Sequence, residues 1–310
     1  MAIHWYPGHM HKARKDIIEA MPNIDLVIEV LDARIPFSSE NPVIAQVRRH
    51  KGNTKPCLKV LSKTDLADPV LTQVWSQFFE QENHTKVLPI AIREENIEQR
   101  LLSCAREFFP DRAEHKAIRV MVMGIPNVGK SSLINRLAGR TIAKVGNEPA
   151  ITKRQQRIDI GDGFILNDTP GILWPKVENI HSSYRLAASG AIKETAMDYV
   201  DVAFYVADYL LANYGELLLE RYQLSDLPES AQVFFELVGA KRGCLRNGGQ
   251  VDLNKICTLF INEFRSGQVG RITLETPEMI DQELKELKRL QEEKEKKNLE
   301  RKRNFRSSKN

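Results

Sequence analysis

A glycine-rich segment near the middle of the chain, Gly124–Ser131, has the spacing GxxxxGK[ST], which is typical of a phosphate-binding loop. Its glycines let backbone N–H groups converge on phosphate oxygens, and the helix predicted to follow adds the positive end of its dipole. We expect Lys130 to reach the β- and γ-phosphates of a nucleotide and the Ser131 hydroxyl to bind Mg²⁺. The rest of the predicted phosphate-binding set is Asn127, Val128, Gly129 and Ser132.

A second motif, Ser62–Asp65 (SKTD), comes before the phosphate loop and predicts which base is bound. The Asp65 carboxylate can accept hydrogen bonds from the N1 and N2 hydrogens of guanine, which adenine does not offer. The aliphatic stem of Lys63 can lie over the ring. A wrong base would leave a buried carboxylate unpaired, so GTP and GDP are favoured over the ligand of a P-loop ATPase or kinase. The alternative is a surface turn after a strand. The predicted base-binding set is Ser62, Lys63, Thr64 and Asp65.

A third motif, Asp168–Gly171 (DTPG), lies downstream of the phosphate loop. Its aspartate can hold the Mg²⁺ shell, and the Gly171 N–H can meet the γ-phosphate. Thr152, between the two motifs, is a candidate for completing the Mg²⁺ coordination when a triphosphate is bound; the alternative is a polar loop residue. Ile172 stands where Ras-like enzymes have the glutamine that orients the attacking water, so another residue or a partner must place that water.

Apolar runs bounded by turn residues alternate with helical patterns, which predicts a parallel α/β sheet. Each motif follows a predicted strand. The base-reading motif precedes the phosphate loop, and this order is a circular permutation of the usual GTPase order. The predicted strands are 24–31, 56–61, 87–92, 118–123, 155–160 and 164–167, and the predicted helices are 70–81, 97–109 and 132–137.

The chain divides into three predicted parts. Residues 1–180 form a circularly permuted Ras-like P-loop GTPase domain with a basic N-terminal arm, 181–281 form an all-helical domain, and 282–310 form a charged tail. The tail has eleven Lys/Arg against six Glu, and the first fifteen residues have three Lys/Arg and no acid. Basic segments of this kind often bind nucleic acid; a solvated, partly frayed helix is the alternative for the tail.

The cysteine content and the apolar runs of the sequence disfavour several classes of protein. The four cysteines lack CxxC spacing and a nearby histidine pair, which disfavours a zinc site or a disulfide framework and favours a reduced compartment. No stretch reaches the roughly 18 apolar residues of a membrane span, and the start of the chain lacks the apolar core of a signal peptide. We therefore expect a cytoplasmic protein with no membrane partner and no DNA partner.

The permuted motif set, together with Asp32–Pro36 (DARIP) and Trp5–Met10 (WYPGHM), resembles the YlqF/RbgA family of ribosome-biogenesis GTPases. The resemblance covers residues 1 to about 280. Ser62 departs from the asparagine that is usual in the base-reading motif, which predicts a shorter or lost bridging hydrogen bond. The segments of the second half that carry the likeness are Arg185–Ala187, Gly190–Ile192, Arg242–Leu245, Gly248 with Gly249, and Asp252.

The resemblance implies a GTPase that binds a late precursor of the large (50S) ribosomal subunit, promotes its maturation and contacts its rRNA through the helical domain and the basic segments. In that family the ribosome stimulates hydrolysis. The resemblance also implies that Asn127 helps to hold K⁺, the alternative being that its amide only stabilises the loop. It points to His9 as the residue that places the attacking water; contact with RNA phosphate, or packing in the arm, is the alternative. A non-catalytic, GTP-gated rRNA-binding factor is the competing interpretation, because of Ile172.

Overall fold

A computed structural model of the chain describes residues 15–50, 53–113, 116–139, 156–168, 177–192 and 198–307. Within these ranges the chain forms an α/β sheet domain followed by a group of helices. Among the helices described, none combines the length and the apolar composition that crossing a membrane requires.

The described residues form a six-stranded sheet with the order β5-β4-β1-β6-β8-β7. Neighbouring strands are parallel, except that β7 and β8 are antiparallel. Every residue of β1 and β4 is buried, as expected for parallel strands covered on both faces. The strands are β1 (Leu26–Asp32), β4 (Cys57–Ser62), β5 (Thr85–Pro89), β6 (Ile118–Met123), β7 (Gln156–Gly161) and β8 (Phe164–Asp168), and β2 (Arg49–His50) pairs separately with β3 (Asn53–Thr54).

The strand order confirms the circular permutation. The chain starts at the centre of the sheet with β1 and adds β4 and β5 toward one edge, then returns to the centre as β6. It finally adds β8 and β7 toward the other edge. Because β1, β4 and β6 are parallel neighbours, their carboxyl ends lie side by side at the same end of the strands. Asp32, Ser62 and the loop after Met123 all lie at this carboxyl end of the sheet.

Several of the helices begin at residues whose side chains cap them. The Asp68 side chain accepts the N–H groups of Val70 and Leu71, and Pro69 occupies the first turn. Asp198, Ser230 and Asp252 cap later helices in the same way. The helices are α1 (15–20), α2 (Pro42–Arg48), α3 (Pro69–Glu80), α4 (Ile97–Arg106), α5 (Lys130–Leu137), α6 (Ile180–Ala188), α7 (Tyr199–Asn213), α8 (Gly215–Tyr222), α9 (Ala231–Lys241), α10 (Leu253–Arg265) and α11 (Pro277–Ser307).

Most predicted bounds differ from the structure by one to three residues, including the helix predicted to reach residue 109, which ends at Arg106, and two of the differences have a clear local reason. The strand predicted to reach Ile92 ends at Pro89, because the Ala91 N–H is donated to the Glu94 carboxylate instead of a neighbouring strand. The helix predicted from residue 132 begins at Lys130, because the phosphate loop leads directly into its first turn. Neither difference moves a motif away from the end of its strand.

The chain crosses back onto the sheet domain after α10. Residues 266–275, which we term the strap, end at Glu275, whose carbonyl accepts a hydrogen bond of 3.0 Å from the Trp75 indole. The buried Arg185 guanidinium pairs with Glu275 at 3.4 Å and with Glu283 of α11. Helix α11 begins at Pro277, before residue 282, where the charged tail was predicted to start. These contacts anchor its first turns to both parts of the protein.

A buried charged cluster lies between β1 and β4. Glu29 pairs in register with Lys59, whose ammonium is held by Glu40 at 2.7 Å and by Glu82 at 2.5 Å, and lies 4.0 Å from the Phe79 ring centroid. Burial, and then the negative charge of Glu40, raise the pKa of Glu29 to about 8. Glu29 is therefore protonated in the folded protein near neutral pH.

This protonation predicts a measurable pH dependence of stability. The folded state holds a proton on Glu29 that the unfolded state releases above the ordinary glutamate pKa of 4.5, so the contribution to stability is complete below pH 4.5 and is lost as the pH rises toward 8. We expect Glu29→Gln to remove that loss, on the order of 3 kcal/mol at pH 8.5 relative to pH 4.5. Urea unfolding across this range measures it, with the exposed Glu286→Gln as the control. Parallel pH profiles for Glu29→Gln and wild type would contradict the assignment.

Candidate nucleotide-binding site

The loop between β6 and α5 has the backbone of a phosphate-binding loop. Gly124 has φ +149°, and a Cβ at this position would lie 2.5 Å from the Val30 carbonyl oxygen. Gly129 has φ +100° and directly precedes α5. A side chain at either glycine would be strained, and at Gly124 it would also collide with β1. These glycines therefore allow the loop to lie against the centre of the sheet with the start of α5 at its end.

Two side chains of the base-reading motif hold carbonyl groups of the phosphate loop. Lys63 Nζ donates to the Asn127 carbonyl at 2.7 Å, and Ser62 Oγ lies 2.5 Å from the Val128 carbonyl. Because the C=O and N–H groups of a trans peptide point in opposite directions, these contacts turn the N–H groups of the same peptides toward the other side of the loop. Converging N–H groups of this kind bind anions.

Ser62, which stands where the base-reading motif usually has asparagine, still connects this motif to the phosphate loop. Its hydroxyl lies between the Val128 carbonyl and the Leu31 carbonyl, the latter at 2.8 Å. A hydroxyl has one proton, so it donates to one of the two carbonyls at a time. Ser62 Oγ therefore contacts the phosphate loop directly, 2.5 Å from the Val128 carbonyl, and a shortening relative to asparagine stays a prediction.

Lys130 and Asp65 occupy different parts of the site. Lys130 is buried, and its Nζ donates to the Ile125 carbonyl within the same loop at 2.8 Å. Asp65 is exposed, beside Thr64, whose N–H donates to the Ile90 carbonyl. The carboxylate predicted to read the base is thus open to solvent, and the ammonium predicted to reach the phosphates is already inside the loop.

Asp32, at the end of β1, is the buried anion that organises the base-reading lysine. Its Oδ2 accepts from Lys63 Nζ at 2.7 Å and from Arg34 Nη2 at 2.8 Å, and its Oδ1 accepts from Arg34 Nε at 3.0 Å. Burial alone would raise the pKa of Asp32, but Arg34 and Lys63 hold it well below its usual range. Burial lowers the pKa of Lys63, and Asp32 opposes that shift. Asp32 is therefore ionised and fixes Lys63.

The helical domain contacts the same site. Asn127 Nδ2 donates to the Gly190 carbonyl, just after α6, at 2.8 Å. The Arg265 side chain donates to two carbonyls at the end of α6, and its own carbonyl accepts from Arg34 Nη1 at 3.2 Å. A continuous set of hydrogen bonds thus runs from Lys63 through Asp32 and Arg34 to the helical domain.

Two of the predicted Mg²⁺ ligands lie in elements that come together at the carboxyl end of the sheet. Ser131 is in the first turn of α5, and Asp168 ends β8, paired with Val122 of β6. A hydroxyl and a carboxylate are the oxygen ligands that Mg²⁺ prefers, so this donor set fits the ion. Within the described ranges there is no group of three or more His, Cys, Asp or Glu that could hold another metal.

Three predicted site residues, His9, Thr152 and Gly171, lie outside the described residues, as does Ile172. Of Asp168 the structure describes the strand position alone. The predicted residues that it brings together are therefore those of the phosphate loop and of the base-reading motif.

Comparison with known proteins places these features in a family. Residues 119–236 match a family model described as "50S ribosome-binding GTPase". Ribosome biogenesis GTPase A of Bacillus cereus is 41% identical over 299 residues, which cover 94% of this chain and 100% of that protein. The chain belongs to the ribosome biogenesis GTPase A (YlqF/RbgA) family. Like other members of this family it is a GTPase that binds guanine nucleotides.

Solved structures of the family agree with the fold. The chain is similar to a GDP-bound YlqF, with a TM-score of 0.61 and 25% identity, covering 85% of this chain and 99% of that one. It is also similar to the GNP-bound YlqF of T. maritima, with a TM-score of 0.60 and 25% identity over 86% and 99% of the two chains. The likeness covers both the permuted sheet domain and most of the helical domain, and confirms the predicted architecture.

Sequence reasoning missed the buried network beneath the GTPase motifs. It noted Asp32 and Arg34 only as part of the DARIP segment that marks the family. The position of Asp32, at the carboxyl end of a buried strand next to the phosphate-loop strand, is a signal that could have placed it in the site. Arg265 and Gly190 offered no such signal, because their contacts depend on how the helical domain packs.

Proposed function

We propose that this GTPase binds a late precursor of the large ribosomal subunit, contacts its rRNA and hydrolyses GTP when the assembling subunit stimulates it. The observation that carries the proposal is the joining of the base-reading motif to the phosphate loop by Lys63 and Ser62. This joining makes one guanine-nucleotide site out of two motifs in permuted order. The names of the family members support the ribosomal role. The protein would act in the cytoplasm.

Mg²⁺ would be held by Ser131, Asp168 and Thr152. The first two supply a hydroxyl and a carboxylate at the same sheet edge, and Thr152 would add a second hydroxyl when a triphosphate is bound. The ion, when bound, supplies charge that neutralises the phosphate oxygens. Lys130 would act on the same oxygens as a fixed positive charge.

K⁺ would be held near the phosphates with the help of Asn127. The amide nitrogen of Asn127 donates to Gly190, so a cation would be coordinated by its Oδ1. An ion at this position adds positive charge near the transferring phosphoryl group, where electrostatic stabilisation dominates the chemistry.

His9 would place the attacking water. Ile172 has no polar side-chain atom to orient a water molecule, so this role falls to another residue, and His9 is the candidate from the family resemblance. Dependence on a partner would follow if the ribosomal particle brings His9 to the bound nucleotide.

Contact with rRNA would come from the helical domain and the basic segments. Lys294, Lys296 and Lys297 are exposed on α11, and further cations follow them in the sequence. Neutralisation of RNA phosphates by such residues makes association weaken steeply with salt. We expect binding to large subunits to lose affinity between low and physiological salt.

GTP turnover in K⁺ buffer tests the proposal, measured with no addition, with small subunits and with large subunits. We expect stimulation by the large subunit alone, lost in His9→Ala while GTP binding is kept. A Na⁺ buffer of equal ionic strength is the control for K⁺. Equal turnover in all three mixtures, despite confirmed GTP binding, would favour a non-catalytic, GTP-gated rRNA-binding factor. Stimulated turnover that survives His9→Ala would remove His9 from the catalytic machinery.

A further inference from the structure

The strap lies directly on the loop that carries Asp65. Arg271 Nη2 donates to the Thr64 carbonyl at 3.0 Å, and its Nε donates to the Ala67 carbonyl at 3.0 Å. Between these two contacts, the Ile272 N–H donates to the Leu66 carbonyl at 3.0 Å. One short segment of the C-terminal half therefore holds the backbone on both sides of Asp65.

The strap packs closely against the Leu66 side chain of this loop. Gly267 has φ +75°, and a Cβ at this position would lie 2.6 Å from the Leu66 side chain. At the far end of the loop, the Asp68 N–H donates to Thr273 Oγ1 at 3.2 Å, and the Tyr214 hydroxyl donates to Asp68 Oδ2 at 3.0 Å. The C-terminal half thus holds the backbone of residues 64–68 through several hydrogen bonds, while the Asp65 side chain stays exposed.

The loop needs such external support because its backbone is strained. Lys63 has φ +60°, a left-handed conformation that non-glycine residues adopt at a cost and keep only where surrounding contacts enforce it. Within the loop itself, the Leu66 N–H donates to the Lys63 carbonyl at 2.9 Å, and the Ala67 N–H donates to the Thr64 carbonyl at 3.4 Å, the longer of the two. The two-pronged Arg271 guanidinium reinforces the weaker half of this turn.

We propose that Arg271 is a positioning residue for guanine specificity, which fixes the backbone on either side of Asp65 so that the carboxylate meets both guanine hydrogens. Arg271 is exposed and belongs to none of the nucleotide-binding motifs. The helical domain then acts as the outer wall of the base site as well as an RNA-contacting module. This inference rests on the proposed role of Asp65 as the guanine reader.

The test compares the dissociation constants of GDP and IDP for the full-length chain. Inosine lacks the N2 amino group, so the ratio of the two constants reports the bond between Asp65 and N2. We expect Arg271→Ala to weaken GDP binding about tenfold and IDP binding much less, so that the preference for guanine falls by most of that factor. Arg271→Lys should lie between, because an ammonium lacks the two-pronged geometry of a guanidinium.

Arg246→Ala is the matched control. Arg246 is also exposed in the helical domain, and its side chain pairs with Asp252 at 3.2 Å, away from the base-reading loop. It should leave the ratio of the two constants unchanged. Thermal unfolding of each variant without nucleotide separates loss of fold from loss of specificity.

Three results would overturn the proposal or its basis. Equal weakening of GDP and IDP by Arg271→Ala would make Arg271 a stabilising residue with no role in specificity. Unchanged binding of both nucleotides would remove it from the site. If Asp65→Asn also leaves GDP binding unchanged, the proposed role of Asp65 as the guanine reader is wrong. If Asp65→Asn weakens GDP binding and Arg271→Ala does not, only the inference about the strap is wrong.

Discussion

Asp65→Asn is expected to convert the site from guanine to xanthine nucleotides, with GDP binding weakened about 100-fold or more and XDP binding gained. The Asp65 carboxylate accepts two hydrogen bonds, whereas an asparagine amide offers one acceptor and one donor. Its NH₂ group would face the N2 amino group of guanine, donor against donor, but would pair with the C2 carbonyl of xanthine. Because the Asp65 side chain is exposed, the fold should be unaffected.

Direct titration of each protein with fluorescent GDP and with fluorescent XDP, with unlabelled ADP as a competitor, measures this change. The affinity of the wild type for XDP is the control, because it shows how well the unchanged site accepts xanthine. Asp65→Ala should lose GDP binding without gaining XDP binding. If Asp65→Asn keeps its GDP affinity and does not bind XDP, another group reads the base.

The ease with which the two motifs could be predicted reflects how local they are. The phosphate loop is eight consecutive residues between a strand and a helix, and the base-reading motif follows a buried strand, so the local pattern specified both. The parallel α/β class and the circular permutation could be predicted from the alternating patterns and from the order of the motifs, whereas the strand order of the sheet came from the structure. A local hydrogen bond, from the Ala91 N–H to the Glu94 carboxylate, then set details such as the end of β5 at Pro89.

The contacts that complete the site could not be predicted in this way. Arg271 and Thr64 are separated by 207 residues, and Arg34 and Arg265 by 231. Neither pair has a characteristic spacing, because each contact depends on the packing angle of the helical domain. Asp32 lies between these two cases. Its position at the end of a strand can be predicted from the local sequence, but its two cationic partners come from different loops and cannot.

Asp32→Asn is the second change with a large expected effect. It would leave Arg34 and Lys63 without their shared anion in a site where Asp32 and Arg34 are each 2% exposed. Removing one member of a buried ion pair costs about 3–5 kcal/mol of unfolding free energy. Because Lys63 also loses its anchor, we expect GDP binding to weaken about tenfold or more.

The pH dependence of this variant distinguishes an electrostatic cause from a packing defect. The folded-state pKa of Asp32 is depressed, so its contribution to stability is present above about pH 4 and is lost as the pH falls toward the folded pKa. Wild type should therefore lose more stability than Asp32→Asn on acidification, and urea unfolding at pH 7 and pH 3 measures the difference. Equal losses would indicate a packing defect.

Asp25→Asn is the matched control for Asp32→Asn. Asp25 lies next to the opposite end of β1 and also has two arginine partners, Arg112 at 3.2 Å and Arg119 at 3.1 Å. Its side chain is 17% exposed, compared with 2% for Asp32, and it is remote from the motifs. We expect a smaller loss of stability and no change in GDP affinity. Weakened GDP binding in Asp25→Asn would mean that general loosening of the sheet accounts for both results.

The contact of the strap with the base-reading loop also has a consequence during protein synthesis. Asp68 and Thr273 are 205 residues apart, so the ribosome that makes this chain releases the base-reading loop long before the segment that closes it. At roughly 5–20 residues per second, the interval is roughly 10–40 s. Late in that interval, once Gly124–Ser131 has been made, a nascent chain has both the base-reading motif and the phosphate loop but lacks residues 266–275. If the strap fixes Asp65 as proposed, we expect selective retention of GDP only after residues 266–275 have been made.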